Sequence, residues 1–192
     1  SAVLFKNNSY AETKSTSDKV AQDSEKGART DVSNPDLKEL TGKDVKDGTY
    51  DIEVESDSAM FKIIKAKLTV KDGKMSAVLT LSGKGYLRLF MGTGEEAVKA
   101  DKSKYAEFKI VDGKYTYEVS VDKLNTPVEC TSFSKRKQKW YDHQIVFLAD
   151  TLPEGAVKKD HTVVIVCVAA AVVLGLGAIF AIGRARKKKS AK

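Results

Sequence analysis

Three Asp-Gly pairs constrain this chain more than any other feature: Asp47-Gly48, Asp72-Gly73 and Asp112-Gly113. Asp-Gly signals a tight reversing turn, because glycine takes positive φ without steric cost. Alternating residues follow each pair. Tyr50, Ile52 and Val54 share one face after the first, and Met75, Ala77, Leu79 and Leu81 after the second. Tyr115, Tyr117, Val119 and Val121 do so after the third, with a one-step shift that a bulge would supply. A period of two is the strand period. Lys67–Val70 runs into the second turn and Glu107–Val111 into the third, which makes two β-hairpins. Gly85–Met91, Val128–Phe133 and Trp140–Leu148 read as further strands, and Gly94–Lys104 has the composition of one or two helical turns. The predicted fold is all-β: an immunoglobulin-like antiparallel β-sandwich of about seven to eight strands over residues 46–150.

The flanks read differently. Residues 1–45 are rich in Lys, Asp, Ser, Thr, Asn and Glu, with apolar residues scattered without period. Such a segment buries too little surface to offset chain entropy, so it reads as a disordered stalk. Within it, Asn34–Leu40 has a cap and a first-turn proline suited to a short helix. Residues 151–161 read as a juxtamembrane linker. Residues 162–182 are apolar and carry neither charge nor proline. About 20 such residues span a bilayer core as an α-helix. Arg184, Arg186, Lys187, Lys188 and Lys189 follow in a tail, 183–192, whose charge keeps it cytoplasmic. The expectation is a single-pass protein of the cell membrane. Its N-terminal domain is extracellular and its C-terminal helix lies in lipid. The chain opens at Ser1 without an initiator Met, as a mature form or a fragment would.

The formal net charge of +7 owes much to that tail, where the excess suits anionic lipid rather than a nucleic-acid partner. Of the two cysteines, Cys130 falls in the outer domain and Cys167 in the apolar run, so no disulfide between them is expected. With two histidines and no cysteine pair, zinc spacing is absent. No nucleophile–base pair, phosphate-binding glycine loop or supported carboxylate pair stands out, so the chain reads as a binding protein rather than an enzyme.

Two segments are candidates for binding. Lys135, Arg136, Lys137 and Lys139 form a basic strip beside Trp140 and Tyr141. The alternatives are a solvated hairpin tip or an edge that grips anions, with Trp140 as a stacking surface. Ser58, Met60 and Phe61 lie in a loop that joins hydroxyls to soft apolar groups. It would suit a flat amphipathic ligand, or Met60 and Phe61 would simply plug one end of the sandwich. Leu152–Ala156 resembles a sortase sorting signal, departing from it at Gly155 and Ala156; the alternative is a plain linker.

Asp47–Tyr50, the loop with Ser58, Met60 and Phe61, Lys67–Lys74 with the strand after it, and Tyr141–Phe147 together resemble the NEAT (near-iron transporter) domain. That family comprises surface-exposed immunoglobulin-like sandwiches of Gram-positive bacteria, many of which bind haem or haemoglobin. The resemblance spans about Asp47 to Asp150. It implies that Ser58 meets a haem propionate, that Met60 and Phe61 face the ring, and that a Tyr-x-x-x-Tyr pair lies on the last hairpin. The second tyrosine of that pair falls on Tyr141. The first, the family's iron ligand, falls on Lys137, whose ammonium has no lone pair for iron. Tyr141 is therefore the tentative metal ligand here, with His143 as a substitute.

The resulting expectation is a membrane-anchored bacterial surface protein that binds haem or a haem protein for iron acquisition. The alternative is an adhesion module that docks on a protein or anionic wall polymer and holds no small molecule.

Overall fold

The computed structural model describes residues 19–159. The apolar run 162–182 and the basic tail lie outside the described residues, as do residues 1–18. No helix among the described residues is long and apolar enough to cross a membrane.

The described chain is all-β, with nine strands rather than seven or eight: β1 (Gly48–Ser56), β2 (Ile63–Lys71), β3 (Lys74–Leu81), β4 (Tyr86–Met91), β5 (Ala106–Glu107), β6 (Lys109–Val111), β7 (Lys114–Val121), β8 (Val128–Ser134) and β9 (Trp140–Leu148). Their order is β5-β4-β8-β9-β1-β2-β3-β7-β6, and every strand pairing is antiparallel. β1 belongs to both halves. Gly48–Ile52 pairs with β2, and Glu53–Ser56 pairs with β9. The opposite corner is made in the same way by 106–111, where β5 joins β4 and β6 joins β7. The result is a sheet folded into two faces and nearly closed on itself, which leaves only short edges open to further pairing.

Local chemistry sets the hairpins. Asp72 and Gly73 have φ of 53° and 75°, and Asp112 and Gly113 have 49° and 72°. Two successive residues in this region match the twist of the flanking strands, and the Asp-Gly sequence tolerates it. The expected bulge in the strand after Asp112-Gly113 is not there. β3 and β7 pair without interruption from Met75↔Val121 to Thr80↔Thr116. The irregularities lie instead in β2, between Ile63 and Lys65, and in β4, between Tyr86 and Arg88.

The alternating residues build the main core: Leu68 and Val70 of β2, Leu79 and Leu81 of β3, Tyr117 of β7 and Phe147 of β9 are essentially fully buried. Tyr117 also crosses it. Its hydroxyl donates to the Tyr86 carbonyl at 2.6 Å, tying β7 to β4. Burial raises the pKa of that phenol, so it stays a donor. Tyr117→Phe is expected to lower stability by about 1–3 kcal/mol, because it strands a carbonyl away from water. Urea unfolding checks this, and a loss below about 0.5 kcal/mol would mean the bond is not part of the fold's stability.

A second, smaller core lies on the outer face of β8 and β9. Helix α1 (Gly94–Lys99) is set by a capping box in which the Thr93 hydroxyl accepts from the Glu96 amide and Glu96 accepts from the Thr93 amide. Its Ala97 packs with Val20 and Trp140, and Phe90, Val98, Tyr105 and Phe133 surround them.

Both flanks depart from expectation. Residues 19–45 do not leave the domain as a stalk. Val20 bridges Trp140, Arg29 bridges Ser58, Leu40 bridges Leu124 and Val45 bridges Val157. Each contact uses one isolated apolar or polar residue, so no periodic pattern betrays it. Asn34–Leu37 is a turn closed by the Asn34 side chain and carbonyl, not a helix. Residues 151–157 also pack on the domain, with Leu152 and Ala156 in the main core and Lys46 N–H donating to the Ala156 carbonyl. The Leu152–Ala156 segment is therefore part of the fold.

Candidate functional site

A cleft of about 360 Å³ opens beside the β8–β9 hairpin. Ser58, Met60, Arg136, Lys137, Tyr141 and His143 all line it, so the structure brings together most of the residues singled out in the sequence. Tyr86, Ser134 and Asp142 join them, with Glu25, Lys26, Gly27 and Arg29 from the segment before the first strand.

The lip is the loop after β1. Phe61 N–H donates to the Ser58 carbonyl, and Asp57 N–H donates to the Gln144 carbonyl, so the loop is pinned to β9. The Tyr86 hydroxyl donates to the Met60 carbonyl at 3.2 Å, and burial raises its pKa. Met60 and Phe61 then diverge. Phe61 is completely buried and is the plug; Met60 is 77% exposed and overhangs the cleft. A soft thioether left in water at the edge of a cavity is a surface that adapts to a flat apolar partner.

The hairpin is the facing wall. In antiparallel pairing, Ser132 stands opposite Tyr141 and Cys130 opposite His143, which puts these four on the inner face. Thr131 and Phe133, opposite Asp142 and Trp140, take the outer face. Trp140 is therefore not a stacking platform for a ligand. It is 4% exposed, beneath Val20 and against Tyr105 and Phe133. The turn itself is ordered: Ser134 N–H donates to the Lys139 carbonyl and Gln138 N–H to the Ser134 carbonyl, with Gln138 at φ 54°. Lys135, Arg136 and Lys137 are exposed on it. Lys139 contacts both carboxylate oxygens of Glu25 at 3.0 Å. Of the basic strip, only Arg136 and Lys137 line the cleft.

His143 lines the cleft but is largely enclosed, at 4% exposure. Its ring stacks on Phe61, with centroids 4.3 Å apart and planes 8° from parallel. Its Nε2 is 2.7 Å from the Ser132 hydroxyl. Burial, with Arg29 and Lys26 nearby, pushes its pKa down to about 3. The Ser132–His143 contact is a nucleophile–base pair in atoms only. Ser132 is fully buried, Nδ1 has no hydrogen-bond partner among the described residues, and a base with that pKa is too weak at neutral pH to activate a hydroxyl. Cys130 behind it is equally inert, since burial raises its thiol pKa to about 12. Among the described residues no cluster of three His, Cys, Asp or Glu side chains could hold a metal ion.

Tyr141 differs from its neighbours. It is half-buried on the cleft wall, and its hydroxyl makes no hydrogen bond among the described residues. Tyr86 and the lining residues before β1 were not legible as site residues. Tyr86 looks like any strand aromatic, and nothing local marks Glu25, Lys26 or Arg29.

No protein-family model matches the chain, and no curated protein matches it. Among solved structures it is similar to the NEAT5 domain of IsdX2, a B. anthracis hemophore, in complex with heme. The identity is 22% and the TM-score 0.39, over 53% of this chain and 96% of that one. A mutant of the same domain with heme gives 22% and 0.39 over 54% and 96%. At that TM-score the likeness is too slight to assign a fold or a function.

Proposed function

We propose that this is a binding domain of a membrane-anchored bacterial surface protein, and that the cleft takes a flat, amphipathic, anionic ligand, haem being the best fit. The observation that carries the reading is the Tyr141 side chain on a cleft wall that Met60, Arg136 and Lys137 also line. The residues present fit haem. Haem would supply an iron centre, and Tyr141 Oη is an uncharged oxygen donor on the cleft wall that could meet it. A lysine side chain such as Lys137 carries an ammonium with no lone pair for iron, and Phe61 and Ser132 enclose the His143 ring. Arg136 and Lys137 are placed to receive the ligand's carboxylates, with Ser58 as a hydroxyl partner on the lip. Met60 and Tyr86 offer apolar surface to the ring. The anchor rests on the 162–182 run, and iron acquisition on the resemblance carried by the sequence.

Haemin titration of the full chain in detergent tests this. The expected result is a saturable Soret band at micromolar haemin, with binding about tenfold weaker in Arg136→Ala/Lys137→Ala, as loss of about 1.4 kcal/mol of charge-assisted contact would give. A chain that shows no more Soret change than empty detergent would sink the haem reading. The exposed Lys135–Lys137 tip favours one second reading, docking on an anionic polymer. That predicts binding to such a polymer which fades steeply between low and physiological salt.

A further inference from the structure

The segment from Val20 to Thr30 is tied to the domain by backbone hydrogen bonds at its two ends, and between them Glu25 and Lys26 reach the hairpin through side-chain ion pairs. At one end Ala21 N–H donates to the Trp140 carbonyl at 2.8 Å, and Val20 lies on the Trp140 ring. At the other, Thr30 N–H donates to the Asp57 carbonyl at 2.8 Å, and Arg29 bridges Ser58 on the lip. The first anchor is on the hairpin and the second on the loop, the two walls of the cleft. The span between them contributes Glu25, Lys26 and Gly27 to the lining.

We propose that residues 20–30 are a strap that forms a third wall of this site and sets how long a ligand stays in it. The inference rests on the haem reading given above. Its physical basis is the kind of contact that holds the strap. Three ion pairs tie the span down: Glu25 with Lys139 at 3.0 Å, Arg29 with Asp57 at 3.5 Å, and Lys26 with Asp142 at 3.8 Å. The Arg29 guanidinium also donates to the Asp142 carbonyl at 2.6 Å. Against these stands little apolar burial, since between Ala21 and Thr30 no residue is buried. The Glu25 and Lys26 pairs are partly exposed, where such contacts contribute about 0–1 kcal/mol each and weaken with salt, whereas Arg29 partners the buried Asp57 carboxylate and belongs to the anchored end. A span held this way opens at far lower cost than the β-ladder beneath it. Opening would part Glu25 and Lys26 from the hairpin and clear the gap between hairpin and lip. Closure would restore the wall over whatever lies in the cleft. The strap thus acts on release more than on capture.

Trp140 makes the strap observable, because it is the single tryptophan of the chain and lies under Val20. In the apo chain, Glu25→Gln/Lys26→Gln should raise acrylamide quenching of its fluorescence, which reports the strap lifting. The same variant, loaded with haemin in the full chain, should lose it to an excess of a haem-scavenging apoprotein about tenfold faster than the parent, with a nearly unchanged association rate. Deletion of residues 1–30 should do at least as much, and it decides the matter if the double variant leaves Trp140 protected. Circular dichroism confirms that the sheet persists. Haemin uptake by the parent with equal release from the deletion variant would overturn the strap alone. No uptake by the parent would overturn the haem reading and, with it, the strap's role in holding haem.

Discussion

Phe61→Ala is expected to destabilise the domain by about 3–5 kcal/mol, the range for removing a buried aromatic ring from a core that relaxes only in part. Phe61 is fully buried and joins the two faces of the fold at the cleft floor. It stacks on His143 and meets Tyr86 edge-on at 5.5 Å. Its loss would leave a cavity beneath the lip and free the His143 ring to move. Met60→Ala, one residue earlier, is expected to change stability by less than about 0.5 kcal/mol, because the side chain is in water. Denaturant unfolding of the two variants side by side checks both values. The contrast separates scaffold from lip: Phe61 should be needed for folding, and Met60 only for ligand affinity. Similar losses in the two would mean that the lip is packed quite differently.

His143→Gln should flatten the acid limb of the stability curve. In the folded domain the imidazole pKa falls from 6.5 to about 3, mainly through burial and then through Arg29 and Lys26. Between those values the unfolded chain binds a proton that the folded chain refuses. Stability therefore rises with pH across this window, is fully present above about 6.5, and drains away as pH falls toward 3. The loss attached to this one group is on the order of a few kcal/mol. A glutamine side chain in its place would titrate nowhere and would still reach the Ser132 hydroxyl. Stability of parent and His143→Gln measured by urea at a series of pH values from neutral down to mildly acid should diverge at the acid end. Parallel curves would place the histidine in water or pair it with an acid.

The fold was legible where local chemistry decides it. Asp72-Gly73 and Asp112-Gly113 mark hairpins because only a few residues accept two positive φ angles in succession. The corner at 106–111 was not legible. Glu107–Val111 reads as one strand, yet the chain turns at Phe108 and divides it between the two faces, with Phe108 stacked on Tyr115. That division depends on how β4 and β7 approach each other, which no short window records.

The candidate site divides in the same way. Ser58, Met60, Tyr141 and the basic turn stand together as the sequence suggested, because loop and hairpin chemistry are local. Trp140 was misjudged as a ligand platform, and His143 is less open than its strand position suggests, for one reason: each is covered by residues far away in the chain. Val20 and Tyr105 hide the first, and Phe61 and Ser132 the second. Residues 19–45 escaped notice because their few apolar side chains fit separate holes. Val32 and Val45 are buried without any neighbour in sequence that shares their face.

If haem sits between lip and hairpin as proposed, Tyr141 meets its iron. The decisive measurement is the absorption spectrum of the full chain with one equivalent of ferric haemin, for the parent, Tyr141→Phe and Lys137→Ala. A phenolate-to-iron charge-transfer band is expected in the parent and in Lys137→Ala, and its loss in Tyr141→Phe with at least a roughly tenfold drop in affinity, about 1.4 kcal/mol. An unchanged spectrum and affinity in Tyr141→Phe would rule out Tyr141 as the ligand.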